Sequence, residues 1–244
     1  MGQNSSLYSE DLAYIHAAGF GELARGAAPD IARRLRAARI QIHRVLDLGC
    51  GAGVLTALLV EAGFEVTGID ISSNLLALAR AAVPQACFVN ASIYDIELPP
   101  CEAILAIGEP LSYHENHADA DDRVRAFLRR TADALPSGGI LIFDVIETGQ
   151  PSLAGRSWCS GDDWAALVET AEDAPSRNLV RKIETFRRMD QLYRRGGEVH
   201  CVRVFDSRQL LTALGEFGFV TETSQSYGGY GLAPRRRAFF CTRS

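Results

Sequence analysis

The stretch Val45-Leu46-Asp47-Leu48-Gly49-Cys50-Gly51-Ala52-Gly53 decides the fold of this chain. The apolar run 44–48 has the length of a buried strand, and the apolar residues 54–60, which end before Gly63, are typical of a helix. Between them stand three glycines, which lack a Cβ and therefore allow positive φ angles and close approach to the backbone. The following helix presents free N–H groups at its N-terminus. The stretch predicts a strand, a tight turn and a helix that together bind a nucleotide-like ligand.

The spacing of the glycines restricts the ligand. A dinucleotide-binding turn reads G-x-G-x-x-G, and Val54 stands where its third glycine would be. Asp47 at the end of the strand would repel a pyrophosphate and would suit a cationic, amino-acid-like group. Asp70 ends the next predicted strand, about 20 residues after Gly51, and an acid at that distance binds ribose hydroxyls in such folds. The pattern therefore indicates a ribose-containing ligand without a pyrophosphate.

Composition sets the broad class of the protein. The 244 residues carry a net charge of −5, which disfavours nucleic acid as an obligate partner. No apolar run reaches the roughly 18 residues of a membrane span, and the start of the chain lacks a signal-peptide core. Six cysteines without a C-x-x-C pair indicate reduced thiols and no metal site. We expect one cytoplasmic domain over residues 1–244, as a monomer or homodimer, with no membrane partner.

Strand and helix patterns alternate from residue 44 onward. This alternation predicts a parallel sheet with helices on both faces. Residues 1–40 are predicted to form a helical cap, with one helix from Glu10 to Ala18 behind Ser9 and a second from Pro29 to Arg39. The predicted core strands are 44–48, 65–70, 86–91, 103–107, 140–145, 219–226 and 236–242.

The alternation breaks after Glu147. Residues 150–205 show period-2 segments, and Arg195-Gly196-Gly197-Glu198 reads as a hairpin turn. This region therefore predicts a small antiparallel sheet inserted after strand 5.

The glycine turn, together with Asp47 and Asp70, resembles the first motifs of the class I S-adenosylmethionine (SAM)-dependent methyltransferases. The order of elements is similar to that family from Arg44 to the C-terminus. The resemblance implies a doubly wound α/β fold of the Rossmann-like type, with a mostly parallel seven-stranded sheet whose last strand is antiparallel. It also implies SAM as cofactor and S-adenosylhomocysteine (SAH) as product. SAM carries an ammonium, a sulfonium and one carboxylate, and it has no phosphate.

The resemblance also implies a set of cofactor residues. Ser92 takes the place of an acid that the family often has after strand 3, facing the adenine amino group. Asp47 also fits a cap of the turn, and Asp70 a cap of the next helix. The glycines also fit a plain turn. The implied cofactor-binding residues are Asp47, Gly49, Cys50, Gly51, Gly53, Asp70, Ile71, Ser92, Ile93 and Gly108.

Candidate catalytic residues follow strand 4, where ligands bind in such sheets. Glu109 fits a general base, a ligand for a substrate ammonium or a structural contact, and Tyr113 lies on the same loop. Methyl transfer from a sulfonium mainly requires alignment and exclusion of water, and a base only where the acceptor must lose a proton. The candidate substrate residues, each of which also fits packing or a surface position, are Tyr8, His16, Phe20, His114 and Trp158.

These observations predict SAM-dependent methyl transfer to a small molecule with an N, O or C nucleophile. A tRNA or rRNA methyltransferase is an alternative, favoured by the basic stretch Arg177–Arg195. The loop after strand 4 lacks the Asn/Asp-Pro-Pro-aromatic motif of base-modifying relatives, which disfavours that alternative. A SAM- or SAH-binding module without catalysis stays open, whereas Val54 disfavours an NAD-dependent oxidoreductase.

Overall fold

The computed structural model describes residues 7–113 and 119–244. The elements follow one another as α1 (Glu10–Gly19), α2 (Glu22–Arg36), β1 (Arg44–Leu48), α3 (Val54–Glu61), β2 (Glu65–Asp70), α4 (Ser73–Ala82), β3 (Cys87–Asn90), β4 (Ala103–Ala106), a 3₁₀ turn (Pro110–Ser112), α5 (Ala120–Ala134), β5 (Ile140–Ile146), β6 (Gly155–Ser160), β7 (Trp164–Asp173), β8 (Asn178–Met189), β9 (Leu192–Arg203), α6 (Ser207–Glu216), β10 (Phe219–Ser224), β11 (Ser226–Tyr227), β12 (Tyr230–Gly231) and β13 (Arg236–Arg243).

A seven-stranded sheet in the order β10-β13-β5-β4-β1-β2-β3 forms the centre of the molecule. The pairs among β3, β2, β1, β4 and β5 are parallel, and β13 runs antiparallel between β5 and β10. The chain runs outward from β1 to β2 and β3, then returns to β4 on the other side of β1. This reversal opens a crevice at the carboxyl ends of β1 and β4. The predicted doubly wound, mostly parallel sheet is confirmed.

The core lies on both faces of this sheet. Along β4, Ile104 and Ala106 join the apolar cluster on one face, and Ala103 and Leu105 join the cluster on the other. Successive side chains of a strand point to opposite faces, so a strand covered on both sides is apolar throughout. This burial on both faces anchors β1 and β4, and these strands position the residues that come directly after them, such as Gly49 and Ile107.

An additional antiparallel sheet in the order β6-β7-β8-β9 follows β5, as predicted. Its hairpin between β8 and β9 turns at Asp190, which has φ 57°. The turn predicted at residues 195–198 was therefore wrong, because Gly196 and Gly197 lie inside β9. A Cβ on Gly196 would lie 2.7 Å from Thr185 Oγ1 on β8, so close cross-strand approach requires this glycine.

Two helices precede β1, and the second is longer than predicted. It begins at Glu22 and contains Pro29 in its interior. Burial of Ile31 and Leu35 against the core outweighs the preference of proline for a first turn. Within residues 7–113 and 119–244, the helices lack the length and apolar character needed to cross a bilayer.

Candidate functional site

A cavity of about 790 Å³ opens where β1, β2 and β4 end. Its wall also includes residues without a predicted role, among them Asn74, Arg123, Val199 and Cys201. The cavity therefore joins the turn after β1, the residues just before α1, the C-terminal end of that helix and the edge strand β9 of the inserted sheet. The candidates that line it are Tyr8, His16, Phe20, Asp47, Gly49, Cys50, Gly51, Asp70, Ile71, Ser92, Ile93, Gly108 and Tyr113.

The three glycines of the turn have different roles. All have positive φ angles, of 70°, 55° and 81° for Gly49, Gly51 and Gly53. A Cβ on Gly49 would lie 2.4 Å from Pro110 Cβ, and one on Gly53 would lie 3.1 Å from Ala79 Cβ. A Cβ on Gly51 would meet His16 Cε1 at 3.8 Å, an ordinary contact distance. Packing therefore requires the first and third glycines, whereas Gly51 leaves its backbone open to a ligand.

Asp70 ties the glycine turn to the loop after β2. Its Oδ2 accepts the N–H of Gly51 at 2.9 Å, and its Oδ1 accepts the N–H of Ser72 at 2.8 Å. Burial raises the pKa of Asp70, and these backbone hydrogen bonds counteract the rise. The cap of α4 is Ser72, whose Oγ accepts the N–H of Leu75 at 3.3 Å. The Asp70 carboxylate therefore lies on the cavity wall in a position distinct from the helix cap.

Asp47 is a buried acid on the same wall. Its Oδ2 accepts the hydroxyl of Thr56 at 2.6 Å, and the residue is 2% exposed. Burial raises the pKa of Asp47 to about 6, although the hydrogen bond from Thr56 acts to lower it. A carboxyl group in this state gains from a cation placed beside it. The open backbone of Gly51 and the two acids Asp47 and Asp70 therefore fit a ligand that carries an ammonium group and ribose hydroxyls.

An aromatic wall, formed by Tyr8, His16, Phe20 and Tyr113, faces the acids. The hydroxyls of Tyr8 and Tyr113 lie 3.3 Å apart, and the rings of His16 and Phe20 stack at 5.7 Å. Burial, with a further contribution from the charge of His200, lowers the pKa of His16 to about 4. Its imidazole is therefore neutral at pH 7. Phe20 is 48% exposed, which leaves one ring of the wall open to a ligand.

Glu109 does not line the cavity. Its carboxylate pairs with Arg236 of β13 and with Arg181 Nη2 of β8 at 3.1 Å, and its side chain is 8% exposed. Arg236 also reaches Asp144 on β5, whose Oδ2 accepts the N–H of Gly108 at 2.9 Å. Of the three roles considered for Glu109, these contacts favour the structural one.

The remaining candidates lie elsewhere. His114 falls outside the described residues. Trp158 on β6 is 76% exposed and does not line the cavity, and neither does Gly53, the last glycine of the turn. In the described ranges no group of His, Cys, Asp or Glu is placed to hold a metal ion.

Two residues of β9, Glu198 and His200, contact the segment before α1 although the sequence does not mark them as site residues. Glu198 accepts hydrogen bonds from Tyr8 and Ser9, and His200 Nε2 lies 2.8 Å from its carboxylate. Period-2 alternation places both residues on one face of a strand, but it does not identify Tyr8, which lies 190 residues before Glu198, as a hydrogen-bond partner.

Comparison with known proteins identifies similar chains. Residues 45–139 match the family described as "Methyltransferase domain". The "Putative methyltransferase YqeM" of Bacillus subtilis is 33% identical over 184 residues, which are 72% of this chain and 73% of that protein. The trans-aconitate 2-methyltransferase of Rhizobium etli is 30% identical over 132 residues, which are 52% of this chain and about half (49%) of that enzyme.

A solved structure extends the similarity in fold to the whole chain. SAM-bound CalS10, an amino pentose methyltransferase from Micromonospora echinaspora, superposes with a TM-score of 0.76 and covers 100% of both chains at 20% identity. At this identity the likeness concerns the fold alone.

Proposed function

The chain belongs to the class I SAM-dependent methyltransferases, and from this premise we propose that it methylates a small-molecule acceptor bound at the aromatic wall. One observation carries the proposal: two buried acids beside an open glycine backbone face a neutral aromatic wall across a single cavity. Such a cavity holds a cationic cofactor on one side and an acceptor on the other.

We assign the cofactor side to the turn after β1 and the loop after β2. Asp70 is placed to bind ribose hydroxyls, Asp47 to bind the ammonium group, and Gly51 to admit ligand atoms against its backbone. Ser92 and Ile93, after β3, line the same space. When bound, SAM supplies an electrophilic methyl group on a sulfonium whose charge is lost as the new bond forms. The residues of the chain hold the reactants in line and exclude water.

The acceptor side of the cavity is suited to orienting the acceptor and not to removing a proton from it. Burial and the neighbouring Tyr113 raise the pKa of Tyr8 well above its usual value, so its phenol stays protonated near pH 7. His16 is neutral there and can accept a hydrogen bond. A wall of this kind supports an acceptor that presents an uncharged amine, because an amine attacks before it loses a proton, and it supports a hydroxyl or a carboxylate-rich acceptor less well. Tyr113 is the candidate that contacts the acceptor, next to Tyr8.

Ligand binding tests the cofactor assignment. Calorimetry with SAM, SAH and NAD is expected to show binding of the first two. Asp70→Ala is expected to weaken SAM binding by about 1–3 kcal/mol, because charge-assisted hydrogen bonds are lost. Asp133→Ala, on the exposed side of α5, is the matched control and should leave the affinity unchanged. Binding of NAD without SAM would overturn the proposal.

Transfer of a labelled methyl group tests the reaction. A panel of small amines, hydroxyl compounds, polycarboxylates and bulk tRNA is offered with methyl-labelled SAM, and we expect label in the amines. Binding of SAM without transfer to any compound would favour the non-catalytic alternative. Transfer to tRNA alone would favour an RNA methyltransferase.

A further inference from the structure

The segment Tyr8–Ser9, here called the strap, crosses the cavity between two distant elements. On one side the N–H groups of Tyr8 and Ser9 donate to Glu198 of β9 at 2.9 and 2.7 Å. On the other side the carbonyl of Tyr8 accepts from Ser72 Oγ at 3.2 Å and from Asn74 Nδ2 at 3.0 Å. Both Ser72 and Asn74 lie at the start of α4, just after Asp70. The strap therefore links the inserted sheet to the loop that carries the candidate ribose acid.

The backbone of the strap departs from its local preferences. Tyr8 has φ 57°, a left-handed conformation that a bulky residue adopts only where its surroundings hold it. Ser9 stands at the N-cap of α1, yet its side chain makes no capping hydrogen bond. Its Oγ donates instead to Glu198 at 2.6 Å. Contact with Glu198 therefore replaces a favourable helix cap and keeps Tyr8 in a strained conformation.

Glu198 has the electrostatic state that this contact requires. Its side chain is 8% exposed, and His200 Nε2 lies 2.8 Å from its Oε2. Burial raises the pKa of Glu198, but the hydrogen bonds from His200, Ser9 and Tyr8 outweigh burial and lower the pKa overall. The carboxylate is ionised near pH 7, and hydrogen bonds to an ionised group are stronger than those between neutral groups.

We propose that Glu198 is a positioning residue of the methyl-transfer site, which holds the strap closed over the cofactor and fixes the Tyr8 phenol beside Tyr113. This inference rests on the proposed function of the cavity. Through the strap, Glu198 acts on both sides of the cavity at once. The phenol of Tyr8 meets Tyr113 on the acceptor side, and its carbonyl meets Ser72, whose N–H binds Asp70. Loss of Glu198 should therefore free the strap and speed the dissociation of bound product.

The test uses the full chain with Glu198→Gln and, as matched control, Glu184→Gln. Glu184 lies on the neighbouring strand, and its exposed carboxylate pairs with exposed Arg195. In hydrogen-exchange experiments without ligand, the Tyr8 and Ser9 amides should exchange about tenfold faster in Glu198→Gln. In stopped-flow experiments with SAH, its dissociation rate should rise about tenfold, while the association rate stays within about threefold. The control should match the wild type in both measurements.

A second variant keeps the inference testable where Glu198→Gln fails to fold. Ser9→Ala removes one of the hydrogen bonds and leaves β9 unchanged, so we expect smaller changes in the same direction. Unchanged amide exchange in either folded variant would overturn the inference. So would faster exchange with an unchanged dissociation rate for SAH, since Glu198 would then anchor the chain without closing the site. Failure of wild-type chain to bind SAH would count against the proposed function instead, and the exchange result would still decide whether Glu198 holds the strap.

Discussion

At the scale of single residues, the burial of Asp47 leads to a prediction that cofactor binding depends on pH. Its pKa is raised from 3.8 to about 6, so the folded chain keeps this proton at a pH where the unfolded chain has lost it. The contribution of Asp47 to folding is therefore favourable at low pH and is lost as the pH rises through about 6. Binding of an ammonium group has the opposite dependence, because it requires the ionised carboxylate.

We accordingly predict that SAM binds about tenfold more weakly at pH 5 than at pH 7.5. Calorimetry across this range measures the affinity. Burial also raises the pKa of Asp144 to about 6. The control variant Asp47→Asn keeps Asp144 and removes only the carboxyl group of Asp47. That variant should bind SAM more weakly at pH 7.5, and its SAM affinity should depend less on pH. An equally steep profile in Asp47→Asn would assign the dependence to another group.

The contacts of Glu109 lead to a prediction about stability. Removing the Glu109 carboxylate breaks a buried ion-pair cluster, in which Arg181 loses this partner and Arg236 keeps only its longer contact to Asp144 among those described. Glu109→Gln should lower the free energy of unfolding by about 3 kcal/mol, measured by urea denaturation. SAM affinity should stay within about threefold, since Glu109 does not line the cavity.

The control for this variant is Glu184→Gln, which breaks an exposed ion pair. It should change the free energy of unfolding by less than about 1 kcal/mol. If Glu109→Gln leaves stability unchanged and abolishes methyl transfer, Glu109 acts on the acceptor.

At the scale of elements, substitutions in the glycine turn distinguish glycines that the fold requires from the glycine that we propose contacts the ligand. Alanine at any of its positive-φ positions carries a backbone cost of about 1–2 kcal/mol. Gly63→Ala isolates that cost, because its φ is 95° and a Cβ there meets nothing within 4 Å. Gly51→Ala should destabilise the fold to a similar extent and also weaken SAM binding. Gly49→Ala should destabilise more, because its Cβ would lie 2.4 Å from Pro110.

Thermal unfolding and calorimetry of the three variants provide the measurements. Equal SAM affinity in Gly51→Ala and Gly63→Ala would show that the open backbone at Gly51 does not receive the ligand.

Elements whose signal is local could be predicted from the sequence. The strand, glycine turn and helix around Asp47 depend on neighbouring residues, and so does the acid at the end of β2. Contacts between distant strands could not be predicted, because nothing near Glu109 identifies its partner Arg236 on β13. The glycine pair 196–197 shows the same limit, since glycine serves both tight turns and close cross-strand packing. Only the strand register distinguishes the two.

At the scale of the whole molecule, the charge distribution disfavours nucleic acid as a partner. The basic stretch that includes Arg187 and Arg194 faces α1, and both residues pair with Glu10 and Asp11. These arginines are therefore compensated within the chain, whose net charge is −5. We predict no tight binding of bulk tRNA in gel-shift experiments at low and moderate salt. Tight binding that falls steeply with salt would contradict this, because release of counterions from phosphates gives that slope.

The position of β13 in the sheet has a consequence for biosynthesis. Although β13 follows every other strand in the chain, it lies between β5 and β10 and pairs with both. A nascent chain that has not yet released β13 from the ribosome leaves β5 with an open edge and Glu109 without Arg236. Closure of the sheet therefore waits until residues 236–243 have been translated, and the unpaired edge needs protection from aggregation until then. A premature stop codon shortly before Arg236 would remove a central strand and not a dispensable tail.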